Sequence, residues 1–172
     1  MKHPAILILD ASVLINFLKI SRIDLLKKHP SEIIITEHVR DEVTNFFPEQ
    51  LDLLNAAIAD GTITELVITD IQEISEIVTF RLERTQNRCG MGECSATIAA
   101  KNRGYSLGID DNPAIKIIKE DFPTLRIVRT QDLIVEMIKA HILDVAGADK
   151  IKAEWEEKHR FKLKLSSFSD LL

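Results

Sequence analysis

Short β-branched apolar runs alternate along the chain with longer stretches whose apolar residues recur at helical spacing, the order expected of strands and helices taking turns. Residues 5–9 predict a first strand. Val13, Leu14, Phe17 and Leu18 then predict the inner side of a helix that Ser12 can cap. A short helix over 21–28 is stopped at Pro30. Residues 32–35 predict the second strand, and Thr36 suits the cap of a helix carrying His38, Asp41 and Glu42. Pro48 opens a helix over 49–59 that Gly61 closes. Residues 63–68 predict the third strand, followed by Asp70 as the cap of a long amphipathic helix with Ile71, Ile74, Ile77, Val78 and Leu82.

Residues 87–92 break the pattern. From Glu93 to Asn102 small and apolar side chains (Ala96, Ile98, Ala99, Ala100) suit close packing of a helix on a sheet, and Gly104 marks its end. Residues 105–109 and 125–128 predict the fourth and fifth strands, with a helix from Asn112-Pro113 to about Glu120 between them. Helices over about 132–142 and 148–159 lead to a tail in which Phe161, Leu163 and Leu165 alternate with polar residues, the period of an edge strand or extended segment. Strands of four to six residues separated by helices predict an α/β fold, a mostly parallel sheet between two helical layers, with functional groups at the carboxyl ends of the strands.

With 172 residues and no linker, repeat or low-complexity tract, one domain is expected, its core over about 5–130 and a helical extension over about 131–172. The net charge of -5 removes a generally basic surface, so any attraction for nucleic acid must be local. A cation held among acids is one way to supply it. No apolar stretch approaches the ~20 residues of a membrane span, and Met1 to Ile8 lacks the layout of a secretory signal, so a cytoplasmic protein is expected. Cys89 and Cys94 are the only cysteines, and His3, His29, His38, His141 and His159 are scattered without ligand spacing. A closed zinc site is therefore not expected, and two reduced thiols suit the cytosol.

The chemistry-bearing residues are acids. Asp10 is the first polar residue after the first strand, and Asp110 and Asp111 hold the same place after the fourth. Glu93 follows the irregular Cys89-Gly90-Met91-Gly92 turn, and Glu42 lies on the helix after the second strand. Carboxylates gathered in one cleft repel one another, and a divalent cation removes that penalty. Oxygen ligands alone suit Mg2+ or Mn2+, which can activate a water and stabilise charge on a phosphoryl group. Each acid also has a plain structural use, as a helix cap, a turn former or a surface charge.

Four segments in order, LDASVLINFL (9–18), ITEHVRDEV (35–43), GMGECSATIAAKNRG (90–104) and LGIDDNPAI (107–115), resemble a PIN domain. The closest likeness is to the prokaryotic branch in which a GxGE helix precedes a DD pair, and the tail through HILDVAGADKIKAEW and LKLSSFSDLL is similar to that branch too. The resemblance implies a three-layer α/β/α fold, a Mg2+ or Mn2+ site and cleavage of single-stranded RNA, commonly as the toxin of a toxin-antitoxin pair with an antitoxin partner. It implies homodimers as well, for which the apolar residues of the helices at 49–59 and 71–82 offer surface. Carried over by position, Asp10, Glu42, Glu93 and Asp111 are the metal-binding acids, Asp110 adds a further carboxylate, and Ser12 and Asn16 support the first acid. Ile109 departs from the pattern, because a Thr or Ser is common two residues before the last acid. Arg81, Arg84, Arg88, Lys101 and Arg103 flank the predicted cleft and could hold backbone phosphates.

An aspartyl-phosphate phosphatase would need a second Asp at position 12, where the chain has Ser12. A receiver-like signalling domain would need its acid pair after the first strand and a Lys near the end of the last, where the chain reads Val128-Arg129-Thr130. The remaining alternative is a PIN-like module that binds RNA or protein without cutting.

Overall fold

The computed structural model describes residues 5–172; His3 and the start of the amino-terminal segment lie outside them. The elements run β1 (Ile6–Leu9), α1 (Ala11–Lys19), α2 (Ile23–Lys28), β2 (Glu32–Thr36), α3 (Glu37–Phe46), α4 (Leu51–Ala59), β3 (Thr64–Leu66), α5 (Ile71–Thr79), α6 (Met91–Arg103), β4 (Ser106–Gly108), α7 (Asn112–Asp121), β5 (Ile127–Val128), α8 (Thr130–Lys139) and α9 (Val145–Lys158). A 3-10 turn at Pro48–Gln50 precedes α4, a π-helical turn at Phe80–Arg84 extends α5, and a 3-10 turn at Phe168–Leu171 ends the chain.

The five strands form one parallel sheet in the order β3-β2-β1-β4-β5, with helices on both faces, a three-layer α/β/α fold. Successive strands move outward from β1 to β3, and the chain then crosses back to place β4 on the other side of β1. In parallel sheets such a reversal opens a crevice beyond the carboxyl ends of the two central strands. Here those strands are β1 and β4, paired Leu9 to Gly108, and the next residues are Asp10 and Ile109.

Local signals explain most boundaries. Thr36 and Asp70 cap α3 and α5 by accepting from the backbone N–H groups of Val39 and Glu73. Gly104 takes the left-handed conformation that ends α6. The small residues of α6 let it lie against β1, β2 and β4, with α3 and α5 packed on it. The carboxyl-terminal helices share the same core: Trp155 and Phe168 are fully buried. The Trp155 ring meets Phe17 edge-on at 6.0 Å, and its Nε1 donates to the Asn16 carbonyl at 2.8 Å.

Two local expectations change. Asp10 rather than Ser12 caps α1, because its Oδ2 accepts from the Ser12 N–H at 3.0 Å. The helix of Glu93 starts earlier, at Met91, with Gly90 as its cap. The apolar row on α5 divides: Ile77 is buried, whereas Ile71 is 84% exposed, Ile74 41%, Val78 39% and Leu82 53%. The buried side consists of Ile77, Phe80 and Glu73, and Glu73 is tolerated there because the Arg103 guanidinium meets both of its oxygens. Residues 161–165 form no strand, although their burial alternates as the sequence suggests.

Candidate metal centre and nucleic-acid interface

Asp10 leaves β1 into the crevice with its backbone N–H donating to the Gly108 carbonyl at 2.8 Å, so β1 and β4 fix its position. The residue is 1% exposed. One carboxylate oxygen serves the α1 cap, while Oδ1 is buried without a hydrogen-bond partner among the described residues. Burial pushes this acid up to about 6, helped by the charge of Glu42 and opposed by the hydrogen bonds from Ser12. A buried acid oxygen with no donor is costly unless something else engages it.

Glu42 projects from α3 toward the start of α6, where the Gly92 N–H donates to its Oε1 at 2.8 Å. Two glycines make this approach possible. A Cβ on Gly90 would stand 2.6 Å from Glu42 Oε1, and one on Gly92 would stand 2.7 to 2.8 Å from both carboxylate oxygens. Glu93, in the first turn of α6, reaches back so that its Oε2 accepts from the Gly90 N–H at 2.8 Å. Burial, with the charges of Asp10, Asp111 and Glu42, pushes Glu93 up to about 7. Sequence reasoning noted the Gly90-x-Gly92-Glu93 run without seeing that its glycines seat the Glu42 carboxylate.

Asp110 and Asp111 part company. The Asp110 carboxylate accepts from Thr130 N–H at 3.0 Å, from the Thr130 hydroxyl at 2.5 Å and from Asn16 Nδ2 at 3.2 Å, and its own N–H donates to Ser12 Oγ at 3.1 Å. Burial raises its affinity for a proton, partly offset by the Thr130 bonds. Asp111 caps α7, its Oδ1 accepting from the Ala114 N–H at 2.8 Å, and its charge acts on Glu93 and Cys89. Ser12 and Asn16 thus contact the Asp110 segment, and Ser12 also donates its N–H to Asp10. Thr130 escaped the sequence reading. The available signal was its place just after β5, at the same sheet edge as the acids. It brings a hydroxyl to Asp110, whereas Ile109 is fully buried in the core.

Among the described residues, no three acidic, histidine or cysteine side chains stand close enough to hold one ion together as direct ligands. The donor set fits a hydrated ion instead. Mg2+ keeps several waters and takes only one or two carboxylates directly, and Asp10 offers a buried, unengaged oxygen beside further acids. Cys89 and Cys94 are free, buried thiols pushed up to about 12, mainly by burial, and so are poor metal ligands.

The five basic residues spread widely. Arg84 makes a two-point ion pair with Asp121, Lys101 pairs with Glu76 at 3.2 Å and Arg103 with Glu73. Lys101 and Arg103 lie eight and ten residues beyond Glu93 on α6, roughly 12 to 15 Å along the helix axis. Arg81 packs inward, with its Nε buried. Only Arg84 and Arg88 line a groove that reaches an acid of the cluster, a space of about 400 Å³ beside Asp111 and Lys116.

Among curated proteins no sequence matches this one. Among solved structures, PAE2754 from Pyrobaculum aerophilum is similar, with a TM-score of 0.55 and 15% identity over 78% of this chain and 90% of that one. VapBC2 from Rickettsia felis, solved bound to a DNA fragment from its promoter, aligns with a TM-score of 0.49 and 14% identity over 72% of this chain and 98% of that one. The T. brucei RRP44 PIN domain aligns with a TM-score of 0.49 and 12% identity over 90% of this chain and 87% of that one. The first supports the fold. The DUF3368 family model, described as a PIN domain, matches residues 6–147 and so spans both strands that lead into the acids and the two acid-bearing helices, α3 and α6, between them. With that match covering most of the molecule, and with the parallel sheet and acid-bearing crevice in place, the chain belongs to the PIN-domain family.

Proposed function

We propose that the protein is a Mg2+- or Mn2+-dependent endoribonuclease that hydrolyses phosphodiester bonds in single-stranded RNA. The observation that carries the reading is Asp10: a buried carboxylate with an unengaged oxygen, held at the crevice between β1 and β4 with Glu42 and Glu93 acting on it or from it electrostatically. A bound ion would supply an activated water and charge stabilisation at the phosphoryl group. Asp10, Glu42, Glu93 and Asp111 hold it directly or through water. Gly90 and Gly92 keep the Glu42 carboxylate in place, and the Ser12, Asn16 and Thr130 groups anchor the neighbouring Asp110 turn. Without an ion, Glu93 retains a proton through a good part of the neutral range.

The likeness of the sequence to the prokaryotic GxGE branch supports a toxin of a toxin-antitoxin pair, with an antitoxin as protein partner and a cytoplasmic site of action. Among the described residues no helix is long and apolar enough to cross a membrane. Homodimer formation is supported by the exposed Ile71, Ile74, Val78 and Leu82, which follow one side of α5 and the π-helical turn. The test of function is a mixed pool of single-stranded RNA incubated with the protein and Mn2+. Fragments form, and chelator stops their formation. RNA left intact by protein that has bound Mn2+ would reduce the reading to a non-cleaving binding module.

A further inference from the structure

A second groove opens on the Asp110 side of the acids, a space of about 310 Å³ lined by Asp110, Asn112, Arg129, Gln131 and residues 161–164. Its floor and walls come from three separated segments: the turn after β4, the start of α8 and the tail after α9. The tail is tied down at its first residue, where the Phe161 N–H donates to the Trp155 carbonyl at 3.1 Å and the Phe161 ring meets the Trp155 ring edge-on at 5.4 Å. Beyond it, Leu163 and Leu165 pack against the core while Lys162 and Lys164 are exposed. Residues two apart in such an alternating segment share a side, so both ammonium groups are presented together.

Several cations nearer the acid helix are already neutralised. Arg84, Lys101 and Arg103 are each ion-paired with an acid. Among the described residues Lys162, Lys164 and Arg129 have no acidic side-chain partner, and the Arg129 guanidinium donates only to the neutral Asn112 amide. The one acid in the lining, Asp110, accepts hydrogen bonds from Thr130 and Asn16 and also feels the Arg129 charge, which leaves the two lysines as the cations no acid faces. Three cations converge on one groove of a molecule whose net charge is -5. Asn112, Gln131 and Phe161 complete the lining, and a cationic groove that tracks the backbone is the chemistry of single-strand binding.

We propose that this groove binds backbone phosphates of single-stranded RNA, with Lys162, Lys164 and Arg129 as the phosphate contacts, so that the strand leaves the acid crevice past Asp110 and Asn112. The choice of RNA rests on the nuclease reading above. Asp110, Asn112 and Arg129 lie within the family match at 6–147, and the two lysines lie beyond it.

Binding is measured in EDTA, where no metal-dependent cleavage occurs, by fluorescence anisotropy of a labelled 12-nucleotide single-stranded RNA across a salt series. The wild type is compared with Lys162→Ala/Lys164→Ala and with Lys139→Ala/Lys150→Ala, an equal charge change at exposed sites off the groove. The groove variant is expected to bind about tenfold more weakly at low salt, with a log–log salt slope shallower by about 1.4, two phosphate contacts at about 0.7 each for a single strand. The control pair is expected to change affinity less than twofold. Equal affinity and slope for wild type and groove variant, equal losses in the two variants, or no binding by the wild type would each overturn the proposal. Cleavage with Mn2+ is read separately: groove-dependent binding with RNA left intact would refute the nuclease reading and leave the groove standing.

Discussion

Replacing Asp10 by Asn should stabilise the metal-free protein at alkaline pH, contrary to the usual cost of altering a buried residue. Burial lifts the Asp10 carboxyl from 3.8 to about 6. At 1.36 kcal/mol for each tenfold change in proton affinity, that difference corresponds to about 3 kcal/mol of native-state destabilisation once the acid is ionised. The sign follows from proton binding. Between the unfolded and folded values the native state binds the proton more tightly, so stability falls as pH rises from about 4 to 6 and levels off above. An Asn side chain has the shape of the protonated acid and keeps an oxygen to accept from the Ser12 N–H, so the cap survives. In EDTA at pH 8, Asp10→Asn is therefore expected to melt higher by as much as about 6 to 12 °C, at about 2 to 4 °C per kcal/mol for a chain of this size. At pH 4 the difference shrinks below about 1 kcal/mol. Parallel thermal melts at the two pH values decide the matter. A variant that is destabilised equally at both would refute the claim that Asp10 is held as a strained, unpaired charge.

Gly92→Ala places a methyl group 2.7 to 2.8 Å from both Glu42 carboxylate oxygens, so cleavage with Mn2+ should fall at least tenfold while circular dichroism stays native; an unchanged rate would show that Glu42 need not hold its position. Thr130→Val removes a hydroxyl from the half-buried Asp110 and the buried Asn16 and should cost about 1 to 3 kcal/mol in a urea melt. An unchanged midpoint would count against that network. Asp111→Asn should abolish cleavage while Asp110→Asn lowers it less, because Asp111 acts on Glu93 and Asp110 is turned toward Thr130. The reverse order in single-turnover rates would place Asp110 in the cleft.

Much of this molecule is legible in its sequence where a local signal and the fold agree. The Ile6–Leu9 run ends on Asp10 because a buried central strand excludes charge until it reaches the crevice. Thr36, Asp70 and Gly104 act within a few residues of themselves, so their roles needed no tertiary knowledge. Partners distant in sequence were harder to see. Period alone shows that α5 has an apolar row but not which of its members meet the core: Ile77 is buried on the side where Glu73 pairs with Arg103, while Ile71, Ile74 and Val78 are exposed. Thr130 lies 20 residues from Asp110 and 114 from Asn16, joined to both only when β5 docks beside β4. The cations follow the same rule: Lys101 and Arg103 are close to Glu93 in sequence but sit at the far end of α6, whereas Lys162 and Lys164 are remote in sequence and line a groove with Asp110.

The central claim, that Asp10 and its neighbouring acids form a divalent-cation site, is tested most directly by calorimetric titration of the metal-free protein with Mn2+ at pH 6.5, wild type beside Asp10→Asn. The account predicts saturable binding to the wild type, accompanied by proton release as Glu93 ionises, and loss of most of that binding in the variant. Identical isotherms for the two proteins, with the variant folded, would contradict it.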